Sequence, residues 1–157
     1  MTPADEQAMT VRADAADVDG VAELARAAAA DPAWEFGSFF LSRFLRLGID
    51  YDDEIETCTV TLPYAVHLCN PQGSVHGGIM TTVLDISMGH LCRRQLGSAV
   101  TIEMAVRFFR PLTTDATCTG AFVRRGRRIA HLESRMIDPR GRLIAMGTGS
   151  WCRTGEV

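Results

Sequence analysis

Apolar residues recur at helical spacing in two stretches near the N-terminus. Residues 17–30 carry apolar side chains on one face, which predicts a weakly amphipathic helix. Asp31 and Pro32 interrupt this pattern, and Pro32 suits the first turn of a second helix that we expect to end at Gly48. The apolar face of this second helix consists of Phe36, Phe39, Phe40, Phe44 and Leu47.

The period changes to two at Ile55, where β-branched residues dominate and a strand is predicted. A loop rich in turn residues follows, from Pro63 to Gly73. Residues 79–96 then have the length of a helix, and their apolar side chains lie on almost every face, which is typical of a buried helix. Four strand-like stretches complete the pattern: 99–110, 116–125, 128–138 and 142–152.

This order of elements predicts an α+β fold, with a mainly antiparallel sheet of five or more strands wrapped around one long central helix. The apolar face of the sheet needs a cover and the helix needs burial on all sides, and wrapping meets both needs. A length of 157 residues suits one globular domain with its own core. We expect residues 1–30 to form a partly helical N-terminal extension and residues 31–157 to form this domain.

The cysteines, histidines and apolar runs argue against several classes of protein. The five cysteines stand singly and the four histidines lack the spacing of metal ligands, so neither a disulfide framework nor a metal site is expected. The apolar runs are interrupted, for instance by Asp85, well before the roughly 20 residues that span a bilayer. The first residues are acidic, unlike a secretory signal. The expectation is a cytoplasmic protein without a membrane partner.

Charge is unevenly distributed along the chain. Residues 1–56 contain 13 acidic and 4 basic side chains, whereas residues 57–157 contain 6 acidic and 12 basic ones. A basic half of this kind attracts anions, either nucleic acid or a small ligand. The sequence contains neither a basic strand interleaved with aromatic residues nor a helix-turn-helix pattern. An anionic small molecule is therefore favoured over nucleic acid.

Asp85 lies in the middle of the helix that is predicted to be most buried. Removing water from an isolated carboxylate is unfavourable unless the group is paired, hydrogen-bonded or protonated. One explanation is structural, with a backbone amide or Arg107 as the partner, and the other is catalytic. Gly77 and Gly78 lie at the start of the same helix. They form either a tight turn or a place where free N–H groups stabilise a developing negative charge on a closely approaching substrate.

The separation of these two features indicates that two chains cooperate. Eight residues of helix span about 12 Å, so Gly77 and Asp85 of one chain cannot flank the same carbonyl group. If two such helices pack antiparallel about a two-fold axis, Asp85 of one subunit faces the Gly77 end of the other. We therefore expect a homodimer with two equivalent sites at the subunit interface.

The motif around these residues is more specific than its parts. The stretch NPQGSVHGG at residues 70–78, followed by Asp85, resembles the signature of hotdog-fold acyl-CoA thioesterases of the PaaI-like group. This group includes phenylacetate-pathway and 4-hydroxybenzoyl-CoA thioesterases. Residues 101–111, a strand that ends in proline, and residues 125–128, a basic hairpin, share the resemblance. It covers residues 36–153 and implies a hotdog fold, here with extra N-terminal helices.

The resemblance implies roles for individual residues. Asp85 falls on the catalytic carboxylate, which acts as general base or as nucleophile, and Gly77 falls on the amide that polarises the thioester carbonyl. Asn70 falls on a residue that orients water or substrate, His76 on a histidine that supports this loop, and Thr101 on a residue that positions water. These parts suffice, because a thiol with a pKa near 8.5 leaves with little acid assistance.

Substrate contacts are also implied. Side chains beside Asp85, together with residues 36–44, are expected to surround the acyl group, and the basic hairpin is either a solvated turn or a site for CoA phosphates. The residues expected to contact the substrate are Gly78, Met88, Phe108, Arg125, Arg127 and Arg128.

The predicted function is hydrolysis of acyl-CoA thioesters to a carboxylic acid and CoA, without a cofactor, by a dimer or a tetramer. The acyl group stays open, as does a carrier-protein thioester in place of CoA. Two alternatives use the same fold: a 3-hydroxyacyl thioester hydratase or dehydratase, and a non-catalytic acyl-CoA binding protein. The order of His76 at the helix start and Asp85 within the helix favours the thioesterase, and the presence of Asp85 argues against the binding protein.

Overall fold

One antiparallel sheet forms the body of the protein in a computed structural model that describes residues 15–32 and 34–154. Within this part of the chain the sheet has six strands in the order β1-β2-β4-β5-β6-β3, and every neighbouring pair is antiparallel. The strands are β1 (Gly48–Asp52), β2 (Thr57–Leu62), β3 (Ala99–Phe108), β4 (Ala116–Arg125), β5 (Ile129–Ile137) and β6 (Leu143–Arg153). The predicted fold class is therefore confirmed.

The sheet wraps around one long helix. The helices are α1 (Ala15–Ala30), α2 (Phe40–Phe44) and α3 (Gly77–Leu96), with a short 3-10 helix at Val66–Leu68. Helix α3 contacts strands β2 to β6, and its side chains Val83, Leu84, Met88 and Leu91 have no exposed surface. Burial of this helix on most faces follows from its nearly continuous apolar surface.

A glycine in the sheet lets α3 lie close to it. A Cβ atom at Gly120 would come within 2.8 Å of the Ser87 carbonyl oxygen on α3, closer than real Cβ contacts allow. The Ser87 hydroxyl lies 2.7 Å from the Ser134 hydroxyl on β5, so this close contact also includes a satisfied buried hydrogen bond. The helix is thereby fixed against the sheet at its middle, near Asp85.

The prediction of a second helix from Pro32 to Gly48 is wrong. Residues 35–38 form a tight turn in which Gly37 has a φ of 92°, and helix α2 covers only Phe40–Phe44. The Ser42 hydroxyl donates to the Phe39 carbonyl and accepts from the Phe39 amide, which fixes the entry to this short helix. The aromatic residues of this segment therefore project from a turn and a single helical turn.

Gly48 begins a strand that the sequence analysis missed. In β1, half-buried Ile49 and Tyr51 alternate with exposed neighbours, and Ile49 lies opposite Val60 on β2. Five residues are too few for a period of two to stand out, so pairing with β2 determines this strand. The predicted first strand begins at Thr57, because Glu56 before it adopts a φ of 52° in the β1–β2 turn.

The N-terminal helix is attached to the body through α2. Arg43 donates from Nε to the Ala28 carbonyl at 2.9 Å and from a terminal nitrogen to the Asp31 carbonyl at 2.9 Å, which ties the end of α1 to α2. The boundary predicted at residue 30 stays a prediction, and residues 1–14 lie outside the described part. No described helix is both long and apolar enough to cross a bilayer.

Strand β3 lies at one edge of the sheet. It contains ten residues, most of them exposed, including Val100 and Ile102 at 53% and Phe108 at 49%. A long edge strand with exposed apolar side chains is open to pairing with another chain, unless charges or a covering segment block it. Strand β3 is therefore the part of the sheet best suited to a subunit contact.

Candidate active site

A cavity of about 490 Å³ opens between the middle of α3, the start of β3 and the segment before α2. Helix α3 contributes Thr82, Asp85 and His90 to its wall, and β3 contributes Thr101. The aromatic side chains of the wall are Trp34, Phe36, Phe39 and Trp151. Asp85 thus lies in an aromatic, mostly apolar hollow of a size that suits a small-molecule ligand.

The Asp85 carboxylate has one hydrogen-bond partner among the residues that the structure describes. Thr101 Oγ1 donates to Asp85 Oδ1 at 3.0 Å, and no described arginine forms an ion pair with this carboxylate. Arg107, a candidate structural partner, therefore does not neutralise it. Burial raises the pKa of Asp85, and the hydrogen bond from Thr101 opposes this by lowering it. A carboxylate with a raised pKa is a better base than an exposed one.

His76 caps the start of α3. Its Nδ1 accepts from the Gly78 amide at 2.9 Å, and its carbonyl accepts from the Ile79 and Met80 amides. The amide of Gly77 donates to no described residue. One N–H group at the positive end of this long helix is thus left for another acceptor.

Phe108 lies against the start of the helix. A Cβ atom at Gly77 would come 3.4 Å from the Phe108 ring, an ordinary contact distance, so the end of β3 packs close to the first turn of α3. Phe108 does not line the cavity around Asp85. Its half-exposed ring instead lies beside Gly77.

Asn70 shapes the loop that leads to this helix. Its Oδ1 accepts from the Gln72 amide at 3.0 Å and from the Ser74 amide at 3.3 Å. The backbone amide of Asn70 in turn donates to the Ser74 carbonyl at 2.8 Å. In the single chain, the polar atoms of Asn70 therefore hold the 70–74 turn that places His76 and Gly77.

The structure brings Asp85 and Thr101 together but keeps them apart from the helix start. Neither Asn70, His76 nor Gly77 lines the cavity that contains Asp85. This separation agrees with the eight residues of helix between Gly77 and Asp85, which span about 12 Å. One chain by itself does not place the free amide next to the carboxylate.

The remaining predicted contact residues lie in three different settings. Met88 has no exposed surface and packs against Gly147 in the core, outside the cavity wall. Gly78 is exposed at the helix start, and its amide is already bonded to His76. Among the predicted acyl-contacting residues of 36–44, Phe36, Phe39 and Leu41 line the cavity.

The basic hairpin contains two kinds of arginine. Arg125 forms an ion pair with Glu56 and lies over the Phe122 ring at 4.7 Å, so its guanidinium is engaged within the chain. Arg127 and Arg128 are exposed in the β4–β5 turn, where their carbonyls accept hydrogen bonds from Arg153. Their side chains form no hydrogen bond or ion pair with residues 15–32 and 34–154, and they extend the positive charge of this turn.

Several residues of the cavity wall are not among those predicted from the sequence, and three of them are Trp34, His90 and Trp151. Trp34 follows the helix break and Trp151 lies near the end of a strand, and neither position carries a pattern that points to a site. His90, one of the four histidines without metal-ligand spacing, is 3% exposed and also lines the cavity. His90 lies five residues after Asp85, about 140° further around α3, so this spacing by itself does not place the two side chains on one face.

Candidate metal ligands do not cluster in the described part of the chain. No group of three or more histidine, cysteine, aspartate or glutamate side chains there is arranged to hold a metal ion. Burial raises the pKa of Cys58 and of Cys92 to about 12, so these thiols stay protonated at neutral pH. The groups available for chemistry in the cavity are therefore the carboxylates of Asp85 and Glu35, the hydroxyls and the imidazole.

Comparisons with known proteins agree on the kind of protein. A family model described as "Thioesterase superfamily" matches residues 72–145. A protein of Saccharolobus solfataricus that carries the name "Putative esterase" is 31% identical over an alignment of 96 residues, which covers 59% of this chain and 68% of that protein. The matched family segment contains the start of α3, Asp85 and Thr101.

Solved structures share the fold. The structure of a Bacillus halodurans protein with CoA is similar with a TM-score of 0.75 and 25% identity, over 92% of this chain and 97% of that one. The structure of the Escherichia coli PaaI protein from the phenylacetic acid degradation operon is similar with a TM-score of 0.73, over 85% of this chain and 98% of that one. At 20% identity, this second likeness concerns the fold alone.

Proposed function

The chain belongs to the thioesterase superfamily and has its hotdog fold, and from this premise we propose that it hydrolyses acyl-CoA thioesters to a carboxylic acid and CoA. The observation that carries the proposal is a half-buried carboxylate, Asp85, held by Thr101 at the wall of an aromatic cavity. The likeness to a structure with CoA supports CoA as the thiol part of the substrate.

In the proposed reaction Asp85 acts on the thioester carbon by one of two routes. As general base it takes a proton from water while the water oxygen bonds to the carbonyl carbon. As nucleophile its own oxygen forms that bond, and water then hydrolyses the resulting anhydride. In both routes the carbon–sulfur bond breaks and the thiolate leaves without strong acid assistance, since thiols have a pKa of about 8.5.

The negative charge that develops on the carbonyl oxygen needs a donor. The free N–H of Gly77 is suited to this role, because it lies at the positive end of a long helix and a developing oxyanion is stabilised there. Asp85 of the same chain is about 12 Å away along the helix, so the donor comes from a second copy of the chain. Each site in the proposed homodimer combines Asp85 of one protomer with Gly77 of its partner.

The exposed edge of β3 supports this arrangement. Thr101 lies on β3 and is hydrogen-bonded to Asp85. A second copy of the chain that pairs with this edge therefore brings its own residues close to the carboxylate. Pairing would also cover Val100 and Ile102, which are exposed in the single chain. A two-fold axis makes the two sites equivalent.

Arg127 and Arg128 are proposed to attract the phosphates of CoA. Both guanidiniums are exposed in the β4–β5 turn, whereas that of Arg125 is paired with Glu56. Guanidinium groups recognise phosphate well. The basic excess of residues 57–157 provides a longer-range attraction for the same anion.

The test is thiol release from a panel of CoA thioesters, from acetyl to palmitoyl together with benzoyl and phenylacetyl. The variant Asp85→Asn keeps the shape of the side chain but removes the base and the nucleophile, so kcat should fall by roughly 10²–10⁴-fold for the thioesters that the protein cleaves. Acyl-CoA binding should persist. Asp50→Asn, at an exposed position on β1, is the matched control.

Two results would overturn the proposal. If Asp85→Asn keeps its activity, Asp85 is not the catalytic carboxylate. If no thioester is cleaved but some bind, the protein is an acyl-CoA binding protein or a hydratase, which incubation with 3-hydroxyacyl-CoA and its unsaturated partner separates.

A further inference from the structure

One nitrogen of His90 lacks a hydrogen-bond partner. In the described part of the chain, His90 Nε2 is the only buried side-chain nitrogen or oxygen, outside exposed residues, without such a partner. Its other nitrogen, Nδ1, lies 2.8 Å from the Tyr51 hydroxyl. Buried polar atoms nearly always have partners, because leaving one unpaired is unfavourable by about 1–3 kcal/mol. The exception at His90 therefore calls for a functional explanation.

The location of His90 supplies one. The imidazole helps to line the cavity that contains Asp85. His90 lies five residues after Asp85 on α3, which separates the two Cα atoms by about 7.5 Å along the helix axis. Gly89 lies between them on the cavity wall and leaves the space in front of Trp151 open. An acyl group whose thioester carbon is at Asp85 would reach the imidazole only with atoms several bonds away from that carbon.

The charge state of His90 limits what it can bind. Burial lowers the pKa of this imidazole, so at neutral pH it is uncharged and offers one N–H and one lone pair. The Tyr51 hydroxyl is hydrogen-bonded to Nδ1, so the hydrogen-bonding group at Nε2 stays available. A neutral imidazole suits an uncharged oxygen, and a hydroxyl can pair with it in either tautomer because it both donates and accepts.

Building on the proposed thioesterase function, we propose that His90 is a specificity residue whose Nε2 hydrogen-bonds an uncharged oxygen, a hydroxyl or a carbonyl, on the distal part of the acyl group. The substrates are thus acyl thioesters that carry such an oxygen several bonds beyond the thioester carbon. Unsubstituted acyl groups of the same shape leave Nε2 unpaired and are disfavoured.

The aromatic segment before α2 controls access to Nε2. The rings of Phe36 and Phe39 lie 5.1 Å and 6.1 Å from the imidazole, measured between ring centres, and Nε2 is closed off from solvent. Phe36 is 59% exposed, so moving its ring away from His90 exposes little additional apolar surface. The acyl group takes the place of the Phe36 ring against the imidazole, in a setting without competing water.

The experiment uses two pairs of CoA thioesters that differ in one oxygen: 3-phenylpropanoyl against 3-(4-hydroxyphenyl)propanoyl, and octanoyl against 7-hydroxyoctanoyl. The natural chain should favour the hydroxylated member of at least one pair by about tenfold or more in kcat/KM. In His90→Phe, which keeps a flat ring beside Phe36 and Phe39, that ratio should fall to about one. His67→Phe makes the same change at an exposed histidine outside the cavity and should keep the ratio.

A binding measurement keeps this inference separate from the thioesterase proposal. Asp85→Asn should bind the hydroxylated member more tightly by a similar factor, whether or not the natural chain releases thiol. In the same variant, the ¹⁵N resonance of His90 Nε2 should shift with the hydroxylated member and not with its unsubstituted partner. This resonance also serves if His90→Phe does not fold.

Three results would overturn the inference. The natural chain could show the same kcat/KM for both members of each pair, Asp85→Asn could bind both members equally or bind neither, or His90→Phe could keep the preference. Absence of thiol release together with selective binding by Asp85→Asn would instead overturn the thioesterase proposal and retain the role of His90.

Discussion

Thr101 Oγ1 donates a hydrogen bond of 3.0 Å to Asp85 Oδ1, and this bond joins the edge strand β3 to the middle of the buried helix α3. It fixes the direction of the carboxylate toward the cavity. It also opposes the effect of burial on the pKa of Asp85. Position and protonation of the proposed catalytic group therefore depend on the same neighbour.

Thr101→Val should move the acid limb of the pH profile to higher pH. Burial raises the pKa of Asp85 and the bond from Thr101 lowers it, so removing the hydroxyl leaves burial unopposed. The basic form of Asp85 is then lost at a higher pH as the solution is acidified. The measurement is kcat/KM against pH, whose acid limb reports the free enzyme. Thr82→Val is the control, since the Thr82 hydroxyl also lies at the cavity but bonds the Gly78 carbonyl. An acid limb that stays in place in Thr101→Val contradicts the assignment.

Asp85→Asn should raise the melting temperature by a few degrees at about pH 7.5, and this gain should vanish near pH 4. The pKa of Asp85 is raised in the folded protein, so the folded state is stabilised by protonation and loses stability as pH rises through that pKa. Asparagine removes this loss. The measurement is thermal unfolding at both pH values.

Asp138→Asn is the control of opposite sign. Burial alone would raise the pKa of Asp138, but hydrogen bonds from Arg142 and from the Arg140 amide hold it below its usual range. Its ionised form therefore stabilises the fold at neutral pH, and this contribution is lost as pH falls. Asp138→Asn should lower the melting temperature at neutral pH. If the melting temperature shifts equally in the two variants, burial does not govern the pKa of Asp85.

Arg127→Ala and Arg128→Ala should each raise KM for acyl-CoA by roughly twofold to fivefold at low salt, with the smaller effect at high salt. Both side chains are exposed, so their attraction for phosphate is screened by ions. Kinetics at two ionic strengths measure this. The same acyl group on N-acetylcysteamine, which has no phosphate, should show no change. Arg140→Ala, at an exposed position in the β5–β6 turn, is the matched control.

Mixed dimers should reveal whether Asp85 and Gly77 of different protomers form one site. Asp85→Asn lacks the carboxylate, and Gly77→Pro lacks the amide hydrogen while keeping a residue that suits the first helical position. Each variant alone should be inactive. Coexpressed, half of the dimers are mixed and one of their two sites is intact, so about a quarter of the activity should return. Coexpressed variants that stay inactive would mean that the two groups act within one chain or not at all.

Much of the architecture follows from local patterns in the sequence. Helix α3 and the four strands after it appear within about two residues of their predicted bounds, because their periods are long enough to stand out against chance. Residues 35–48 did not follow this rule. Their aromatic residues have helical spacing, but the turn at Gly37 and the pairing of Ile49 with Val60 outweigh it. Short elements take their structure from packing partners, which local periodicity does not describe.

The sequence by itself determined which groups are unusual: a carboxylate among apolar residues at Asp85 and a glycine at the start of its helix. Such features stand out because burying a charge is unfavourable wherever it occurs. Only the tertiary structure decided what surrounds Asp85, because a cavity is enclosed by residues that are distant along the chain. It brought Thr101, Trp151 and the aromatic segment before α2 to the same wall, and it left His90 Nε2 without a partner there.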